Sequence, residues 1–196
     1  MNRGEITELH YIAPIANVPS IMDHGILSHK LSAKIVHHSV AMPEIQQRRK
    51  NKRIPGAGFL HDYANLYFDA HNPMLSKCRE HNGRICVLRI DPAVLDLPGV
   101  IVADRNAASD WVRFMSMAEA LRIMDWNRVF AKYWTYSGDL HEEWTHKSQK
   151  CAEVLVPDSV KPDVLVGAYV VNEVALAMFR ELRIDLSVSI RSDIFF

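Results

Sequence analysis

An acidic residue inside an apolar stretch is the strongest chemical signal in the sequence. Glu153 lies in the run CAEVLV at residues 151–156, whose other members are apolar enough to form a buried strand. Removing a carboxylate from water is costly unless it faces a polar cleft or pairs with a cation. Acids in such positions are often active-site residues, and a structural ion pair is the other common outcome. Glu153 is therefore a candidate catalytic acid, with the ion pair left open.

A dense basic segment is the second signal. The run QQRRKNKR at residues 46–53 contains five cations and no acid: Arg48, Arg49, Lys50, Lys52 and Arg53. A local patch of this density can bind phosphate, although a solvated basic loop is an equally good interpretation of charge alone. The patch lies in residues 28–62, which lack clear periodicity. An unpatterned stretch of this length is usually a functional loop.

Three weaker candidates have ordinary structural explanations beside the functional ones. His10 follows an apolar pattern next to Tyr11, which is typical of a core histidine. Tyr67 and Phe68 would usually be core aromatics. The segment DRNA at residues 104–107 follows a predicted strand and could bind an anion, but Asp and Asn are also common helix caps.

The histidines do not predict a metal site. The segment HEEWTH at residues 141–146 resembles a zinc-protease motif, but its histidines are five residues apart. Five residues turn a helix by about 140°, so the two rings would not share a face, whereas a spacing of four would place them together. The sequence also lacks the glycine-rich motifs of P-loop, Rossmann and serine-hydrolase proteins. We therefore expect no metal cofactor.

Composition narrows the class of protein but not its function. The 196 residues are 48% hydrophobic and 23% charged, with a formal net charge of zero, as in an ordinary soluble globular protein. We expect one domain, residues 1–196. Three cysteines without a C-x-x-C pair suit a reducing compartment, and no stretch has the length of a signal peptide or membrane span. These features predict a cytoplasmic protein that does not bind membranes.

Helices and short strands are interspersed without regular alternation, which predicts an α+β fold. The predicted strands cover residues 8–13, 63–68, 85–90, 100–103, 152–156, 167–171 and 184–190. The predicted helices cover residues 17–25, 107–124 and 173–182, with a further helix beginning near residue 126.

Several ordered stretches together resemble the DarT family of DNA ADP-ribosyltransferase toxins. They are LHYI at residues 9–12 with Asn17 and Gly25 after it, IQQRR at 45–49, DYANLYF at 62–68 with NPML at 72–75, DRNAA at 104–108, and CAEVLV at 151–156. The family has D-Y-V-P-F-Y-F and S-P-M-L at the third position and A-E-F-L-V around its catalytic glutamate. Ala64, Asn65 and Leu66 depart from that pattern beside the expected nucleotide pocket.

The resemblance implies an ADP-ribosyltransferase fold, a split mixed or antiparallel sheet with flanking helices and an NAD-binding cleft. NAD⁺ would be the co-substrate. Glu153 would be the catalytic acid and Arg49, or its neighbour Arg48, the catalytic arginine. The implied cofactor contacts are His10, Asn17, Arg48, Tyr67 and Phe68. The implied nucleic-acid contacts are Arg48, Lys50, Lys52, Arg53, Tyr63 and Asn106.

The implied substrate is a base in single-stranded DNA, because the pairing edge of a base is inaccessible in a duplex. Thymidine and guanosine both remain open as the modified base. Family toxins are expected to be countered by a macrodomain-type or other ADP-ribosyl-hydrolase antitoxin. Two alternatives remain: an ADP-ribosyltransferase that acts on RNA or protein, and a non-catalytic nucleic-acid-binding module.

Overall fold

The computed structural model describes residues 1–39, 43–136 and 138–196. The strands are β1 (Leu9–Pro14), β2 (Ile26–Leu27), β3 (Tyr63–Tyr67), β4 (Ile85–Ile90), β5 (Ile101–Ala103), β6 (Phe114–Met115), β7 (Glu153–Pro157), β8 (Ser159–Val160), β9 (Leu165–Val170) and β10 (Val188–Ile190). The α-helices are α1 (Val18–His24), α2 (His29–Ser32), α3 (Pro43–Lys50), α4 (Pro73–Lys77), α5 (Met117–Ile123), α6 (Trp126–Val129), α7 (Leu140–Gln149) and α8 (Glu173–Glu181).

One large mixed sheet organises the fold, in the order β10-β9-β4-β1-β3-β7-β5-β6. Its neighbouring strands are antiparallel except for β10 and β9, which run parallel. A second, two-stranded sheet pairs β2 with β8. This arrangement of strands and interspersed helices confirms the predicted α+β class.

The sheet is split between its two central strands. β1 and β4 pair at six positions and β3 and β7 at five, but β1 and β3 pair only at His10 and Tyr67. The two halves therefore diverge on either side of this pair. A groove between diverging strands exposes backbone and side chains from both of them to a ligand.

The core covers both faces of the sheet. Alternating residues of the central strands, including Leu9, Leu66, Leu88 and Val154, are fully buried in the largest apolar cluster. A smaller cluster on the opposite face contains Ile12 and Val87. Because the sheet is packed on both faces, its central strands are rigid supports for the polar side chains that they carry.

The predicted helix over residues 107–124 is wrong in its first half, because α5 begins only at Met117. The carboxylate of Asp104 accepts hydrogen bonds from the backbone and the side chain of Arg113, and these bonds fold residues 104–113 into a loop. The next two residues pair with β5, and Ser116 then caps α5. Side-chain hydrogen bonding to the backbone here competes successfully with helix formation.

In its described part, the unpatterned segment at residues 28–62 contains two helices that periodicity did not indicate, α2 and α3. The α3 sequence PEIQQRRK is polar almost throughout, so it has no apolar stripe to reveal it. None of the helices in the described parts of the chain combines the length and apolar character that crossing a bilayer requires.

Candidate active site

A row of polar side chains crosses the sheet from β4 to β7. Arg89 pairs with His10, His10 with Tyr67, and Tyr67 with Glu153. Directly paired residues of antiparallel strands project from the same face, so these four side chains share one side of the sheet. Strands lie about 4.8 Å apart, which places the backbones of His10 and Glu153 about 10 Å from each other. The split between β1 and β3 therefore lies between His10 and Glu153.

A cavity of about 620 Å³ opens at the split, within the size range of small-molecule and cofactor sites. Tyr11 and Ile12 of β1 and Asn65 and Tyr67 of β3 line it where the two strands diverge. Its other walls come from four segments outside the central strands: α3 (Ile45, Gln46, Arg48, Arg49), α4 (Pro73, Met74, Lys77), the loop at 105–111 (Arg105, Asn106, Ala108, Ser109, Asp110, Trp111) and α7 with the turn after it (His141, Trp144, Thr145, Lys147, Ser148, Cys151). Glu153 also lines the cavity, as the first residue of β7.

The Glu153 carboxylate is buried and held by two donors. Its side chain is 1% exposed, and Nη1 of Arg49 lies 3.1 Å from Oε1 and 3.0 Å from Oε2. The backbone N–H of Ala107 also donates to Oε1, at 2.9 Å. An ionised carboxylate in such a place requires this compensation. Both outcomes weighed for Glu153 therefore occur together, because it forms an ion pair and lines a cleft.

The two oxygens of the Glu153 carboxylate differ in how many further hydrogen bonds they can accept. Oε1 accepts hydrogen bonds from Arg49 and Ala107, whereas Oε2 accepts one, from Arg49, among the described residues. Each carboxylate oxygen can accept about two hydrogen bonds. Glu153 therefore keeps acceptor capacity on Oε2 for a hydroxyl or N–H of a ligand.

Arg49 lies in the last turn of α3, and its side chain is buried. Only 6% of the residue is exposed, although its neighbours Arg48 and Lys50 lie at the surface. α3 packs on a 3-10 turn containing His61, whose ring lies 4.1 Å from that of His29. Burial, then the charges of His29 and Arg49, lower the pKa of His61 to about 4. His61 is therefore neutral at physiological pH and lies close to Arg49, in the turn on which α3 packs.

The loop after β5 positions the Ala107 N–H. Asp104 is 4% exposed and ties the loop across its base to Arg113 through side-chain and backbone hydrogen bonds. The backbone N–H of Asn106 donates to the carbonyl of Ser148 at the end of α7, at 2.8 Å. The loop is thus fixed at both sides of Ala107, so its N–H is aimed at Glu153 before any ligand binds.

Tyr67 lies beside Glu153 in the row and also lines the cavity. Burial, together with the negative charge of Glu153, raises the pKa of Tyr67 well above its usual range. The phenol therefore stays neutral at physiological pH and can donate a hydrogen bond.

The other end of the row is a closed polar cluster around Glu8. Its carboxylate accepts hydrogen bonds from Nε of Arg89 at 2.6 Å and the hydroxyl of Tyr169 at 2.9 Å, and lies 3.1 Å from Nε2 of His10. Burial raises the pKa of Glu8, but these hydrogen bonds outweigh it and lower the pKa to about 2. Nδ1 of His10 is buried and has no partner among the described residues.

The structure brings five of the predicted site residues to one cavity: Glu153, Arg49, Arg48, Tyr67 and Asn106. His10 is their neighbour in the row, although its side chain is not part of the described lining. Phe68 is 1% exposed and packs edge-on against Trp126, away from the lining. The side-chain amide of Asn17 makes two hydrogen bonds with the backbone of His38 instead of capping α1.

The remaining predicted contacts surround the cavity and do not line it. Lys52 donates to the carbonyl of Ser109 at 2.7 Å, and Arg53 lies 4.2 Å above the ring of Phe59. Lys50 is exposed at the end of α3, and Tyr63 packs against a small apolar cluster under the loop.

Several cavity residues were missed by reasoning from the sequence. The sequence indicated that residues 104–107 could bind an anion, but not that the Ala107 N–H would bind the Glu153 carboxylate, because a backbone donor does not depend on residue type. Trp111 and Trp144 are 81% and 66% exposed at the cavity, and isolated tryptophans carry no pattern. Trp144 lies between His141, which lines the cavity, and His146, which is buried and hydrogen-bonded to the hydroxyl of Tyr136 at 2.6 Å. The described residues contain no group of three or more potential metal ligands.

Comparisons with known proteins place the chain among DNA ADP-ribosyltransferases. The chain is 30% identical over 174 residues to a DNA ADP-ribosyl transferase–glycohydrolase fusion protein of Thermosipho africanus, covering 83% of this chain and 42% of the fusion protein. It is 29% identical over 193 residues to a DNA ADP-ribosyl transferase of Thermus sp. strain 2.9, covering 90% of this chain and 89% of the relative.

Solved structures of Thermus sp. 2.9 DarT have the same fold. The complex with ADP-ribosylated single-stranded DNA superposes with a TM-score of 0.82 at 25% identity, over 98% of this chain and 97% of that one. The complex with NAD⁺ superposes with a TM-score of 0.77 at 24% identity, over 98% of both chains. The family model described as "ssDNA thymidine ADP-ribosyltransferase, DarT" matches residues 10–196, so the chain belongs to the DarT family.

Proposed function

We propose that the protein transfers ADP-ribose from NAD⁺ to a base in single-stranded DNA. The observation that carries this proposal is the buried Glu153 carboxylate at the cavity in the split, held by Arg49 and the Ala107 N–H. Family membership supports it, as do the relatives bound to NAD⁺ and to ADP-ribosylated DNA.

In the proposed reaction the bond between nicotinamide and the ribose anomeric carbon breaks, and nicotinamide leaves with the electron pair. Positive charge then develops on the ribose ring. A fixed carboxylate in a partly dry cavity stabilises that charge strongly, because the site needs no reorganisation. Glu153 meets these conditions.

The acceptor nitrogen of the base attacks the anomeric carbon and must lose its proton. Glu153 is the general base in this proposal, since it lines the cavity and its Oε2 keeps a free acceptor position. Arg49 balances the charge of Glu153 and fixes its orientation. It is the proposed catalytic arginine, while Arg48 at the exposed edge of the cavity contacts phosphate.

The co-substrate would lie along the polar row. Nδ1 of His10 is an unpartnered buried group two strands from Glu153, which suits a contact with the ribose or adenosine part of NAD⁺. Tyr67, between them, would donate a hydrogen bond next to the nicotinamide ribose. Asn17 is assigned an indirect role, because its amide fixes the backbone of His38 ahead of α3.

The DNA would enter past α3 and the loop at 105–111. Arg48 and Asn106 line this side, and Lys50, Lys52, Arg53 and Tyr63 lie around it. Thymidine is the base in the family description, and guanosine is the alternative that the sequence left open. Mass spectrometry of nucleosides from a treated oligonucleotide would identify the modified base directly.

The decisive experiment follows label from NAD⁺ into a single-stranded oligonucleotide. Glu153→Gln, which keeps the size of the side chain, is expected to lower transfer by at least about 10³-fold, as does Glu153→Ala. Both variants should remain folded by circular dichroism. Turnover near that of the wild type would remove Glu153 from the mechanism.

Two alternatives remain testable in the same assay. An acceptor of RNA or protein would place the label in material sensitive to ribonuclease or protease. A non-catalytic nucleic-acid-binding module would bind oligonucleotide, but NAD⁺ would not raise its melting temperature. The polar row on the split is the feature that disfavours this module, because DNA binding alone has no use for it.

We also propose the biological setting. The protein would act as a toxin in the cytoplasm, as one domain over residues 1–196. An ADP-ribosyl hydrolase, of macrodomain type or another, would reverse its modification. The Thermosipho relative carries a glycohydrolase in the same polypeptide, which supports this pairing of activities. Removal of the label from modified DNA by a macrodomain hydrolase is the corresponding test.

A further inference from the structure

A second cavity lies beside the first and carries unpaired positive charge. It has a volume of about 370 Å³ and is lined by Lys77, Arg79 and Lys147, with Glu80 as its single acidic residue among the described residues. Lys77 and Lys147 also line the larger cavity, so the two cavities share part of a wall.

The cations of this second cavity differ from Arg48 and Lys52 beside the larger cavity. Arg48 and Lys52 both lie near the carboxylate of Asp110, at 4.0 and 3.8 Å, and Lys52 also donates to a carbonyl. In the described parts of the chain, Lys77, Arg79 and Lys147 form no ion pair, not even with Glu80. Converging like charges repel each other and attract anions. The second cavity is therefore a suitable site for phosphate.

An aromatic side chain stands next to these cations. Trp144 and Lys147 are three residues apart on α7, so their side chains are neighbours on the helix surface. Trp144 is 66% exposed and lines the larger cavity. An exposed aromatic ring beside a cationic groove is the usual arrangement for binding single-stranded nucleic acid, with bases stacked and phosphates paired.

We propose that the second cavity and Trp144 form a subsite for the nucleotide adjacent to the modified one. Lys77, Arg79 and Lys147 bind the phosphodiester as the strand leaves the larger cavity, and Trp144 stacks on the neighbouring base. This proposal rests on the proposed function and extends it, since it gives the strand a path along α4 and α7, in addition to α3.

The first test measures how the affinity for a single-stranded oligonucleotide depends on salt. Each phosphate contact contributes about 0.7 to the slope of log K against log salt for single strands. The variant Lys77→Ala/Arg79→Ala/Lys147→Ala is expected to lose about 2 from that slope. The matched control Arg122→Ala/Lys161→Ala/Arg180→Ala removes three exposed cations that line neither cavity, and should keep the slope of the wild type.

The possible outcomes distinguish a failure of the subsite proposal from a failure of the proposed function. Wild-type protein that modifies RNA or protein but not DNA would remove the proposed function and the subsite with it. Wild-type protein that modifies DNA, with equal slopes in both triple variants, would overturn the subsite alone. A triple variant that loses the thermal shift with NAD⁺ but keeps its affinity for DNA would assign the cavity to the pyrophosphate of NAD⁺ and also overturn it.

The second test addresses the stacked base. Trp144→Ala is expected to weaken binding roughly 5- to 150-fold, and Trp144→Phe to keep most of the affinity. The loss should vanish when the oligonucleotide carries an abasic site next to the modified nucleotide, because there is then no base to stack. An equal loss with and without that base would show that Trp144 does not contact it.

Discussion

Two carboxylate–arginine pairs lie near opposite ends of the polar row, and they differ in what surrounds them. Glu8 is bound by Arg89 of β4 and Tyr169 of β9, in a cluster that lines neither cavity. Glu153 is bound by Arg49 from α3 and by a loop N–H, beside an open cavity. A buried ion pair alone therefore does not distinguish a structural carboxylate from one with a proposed catalytic role. The two are distinguished by the element that supplies the arginine and by whether the carboxylate lines a cavity.

The energetics of the two pairs support this distinction. Burying a charge pair costs desolvation that the mutual attraction barely recovers, so such a pair is weak evidence for stability. Glu8 is partly exposed, and hydrogen bonds with three neighbours compensate for the desolvation of its carboxylate. Glu153 is almost fully buried with fewer donors, and Oε2 keeps unused acceptor capacity. A substrate group would fill that capacity in the proposed reaction.

Removing one arginine from each pair gives the largest expected contrast. Arg49→Ala should lower kcat of ADP-ribose transfer roughly 10²- to 10³-fold, because Glu153 loses its orientation and its charge balance. Arg89→Ala should leave kcat within a few-fold of the wild type, since its guanidinium contacts Glu8 and not the cavity. Single-turnover transfer from labelled NAD⁺ to an oligonucleotide measures both.

The effect of each substitution on thermal stability must be measured separately from its effect on kcat. Leaving a buried carboxylate unpaired costs about 3–5 kcal/mol, so Arg49→Ala will also melt at a lower temperature. The double variant Arg49→Ala/Glu153→Gln removes both charges and should regain most of that stability without regaining activity. Equal losses of kcat in Arg49→Ala and Arg89→Ala would erase the proposed difference between the two pairs.

His10 links the two ends, and its substitution should have an intermediate effect. His10→Ala removes the unpartnered Nδ1, so KM for NAD⁺ should rise about tenfold with little change in kcat, as expected for one lost hydrogen bond. KM for the oligonucleotide should stay constant, and this serves as the internal control. A fall in kcat with an unchanged KM for NAD⁺ would instead place His10 in the chemical step.

The sequence predicted the elements that carry the row better than the walls around it. The strand over residues 85–90 matches β4 in full, and the strands carrying His10, Tyr67 and Glu153 were placed within one residue at each end. Apolar strands bounded by turn residues can be identified locally. Their order could not be predicted, because pairing β1 with both β3 and β4 depends on contacts distant in sequence.

The walls were harder to predict for a physical reason. α3 and the loop at 104–113 are fixed by side-chain hydrogen bonds and ion pairs, such as Asp104 with Arg113, and not by an apolar stripe. Glu153 was identifiable because a buried acid violates the local apolar pattern. Lys77 and Lys147 violate no pattern, because charged residues on short helices are ordinary until the fold brings them to one cavity.

Acid stability gives the smallest effect and sharpens the role of the Glu8 pair. The pKa of Glu8 is about 2 in the folded protein, below its ordinary value of 4.5, so the unfolded chain binds a proton there more readily. The stability that Glu8 contributes is therefore complete above about pH 4.5 and is lost as the pH falls towards 2. Glu8→Gln should flatten the dependence of Tm on pH in this window by a few degrees. Glu181→Gln, at an exposed position at the end of α8, is the matched control and should keep the slope of the wild type. Equal slopes for Glu8→Gln and the wild type would mean that Glu8 is not a stabilising ionised group, and the contrast with Glu153 would then rest on the cavity alone.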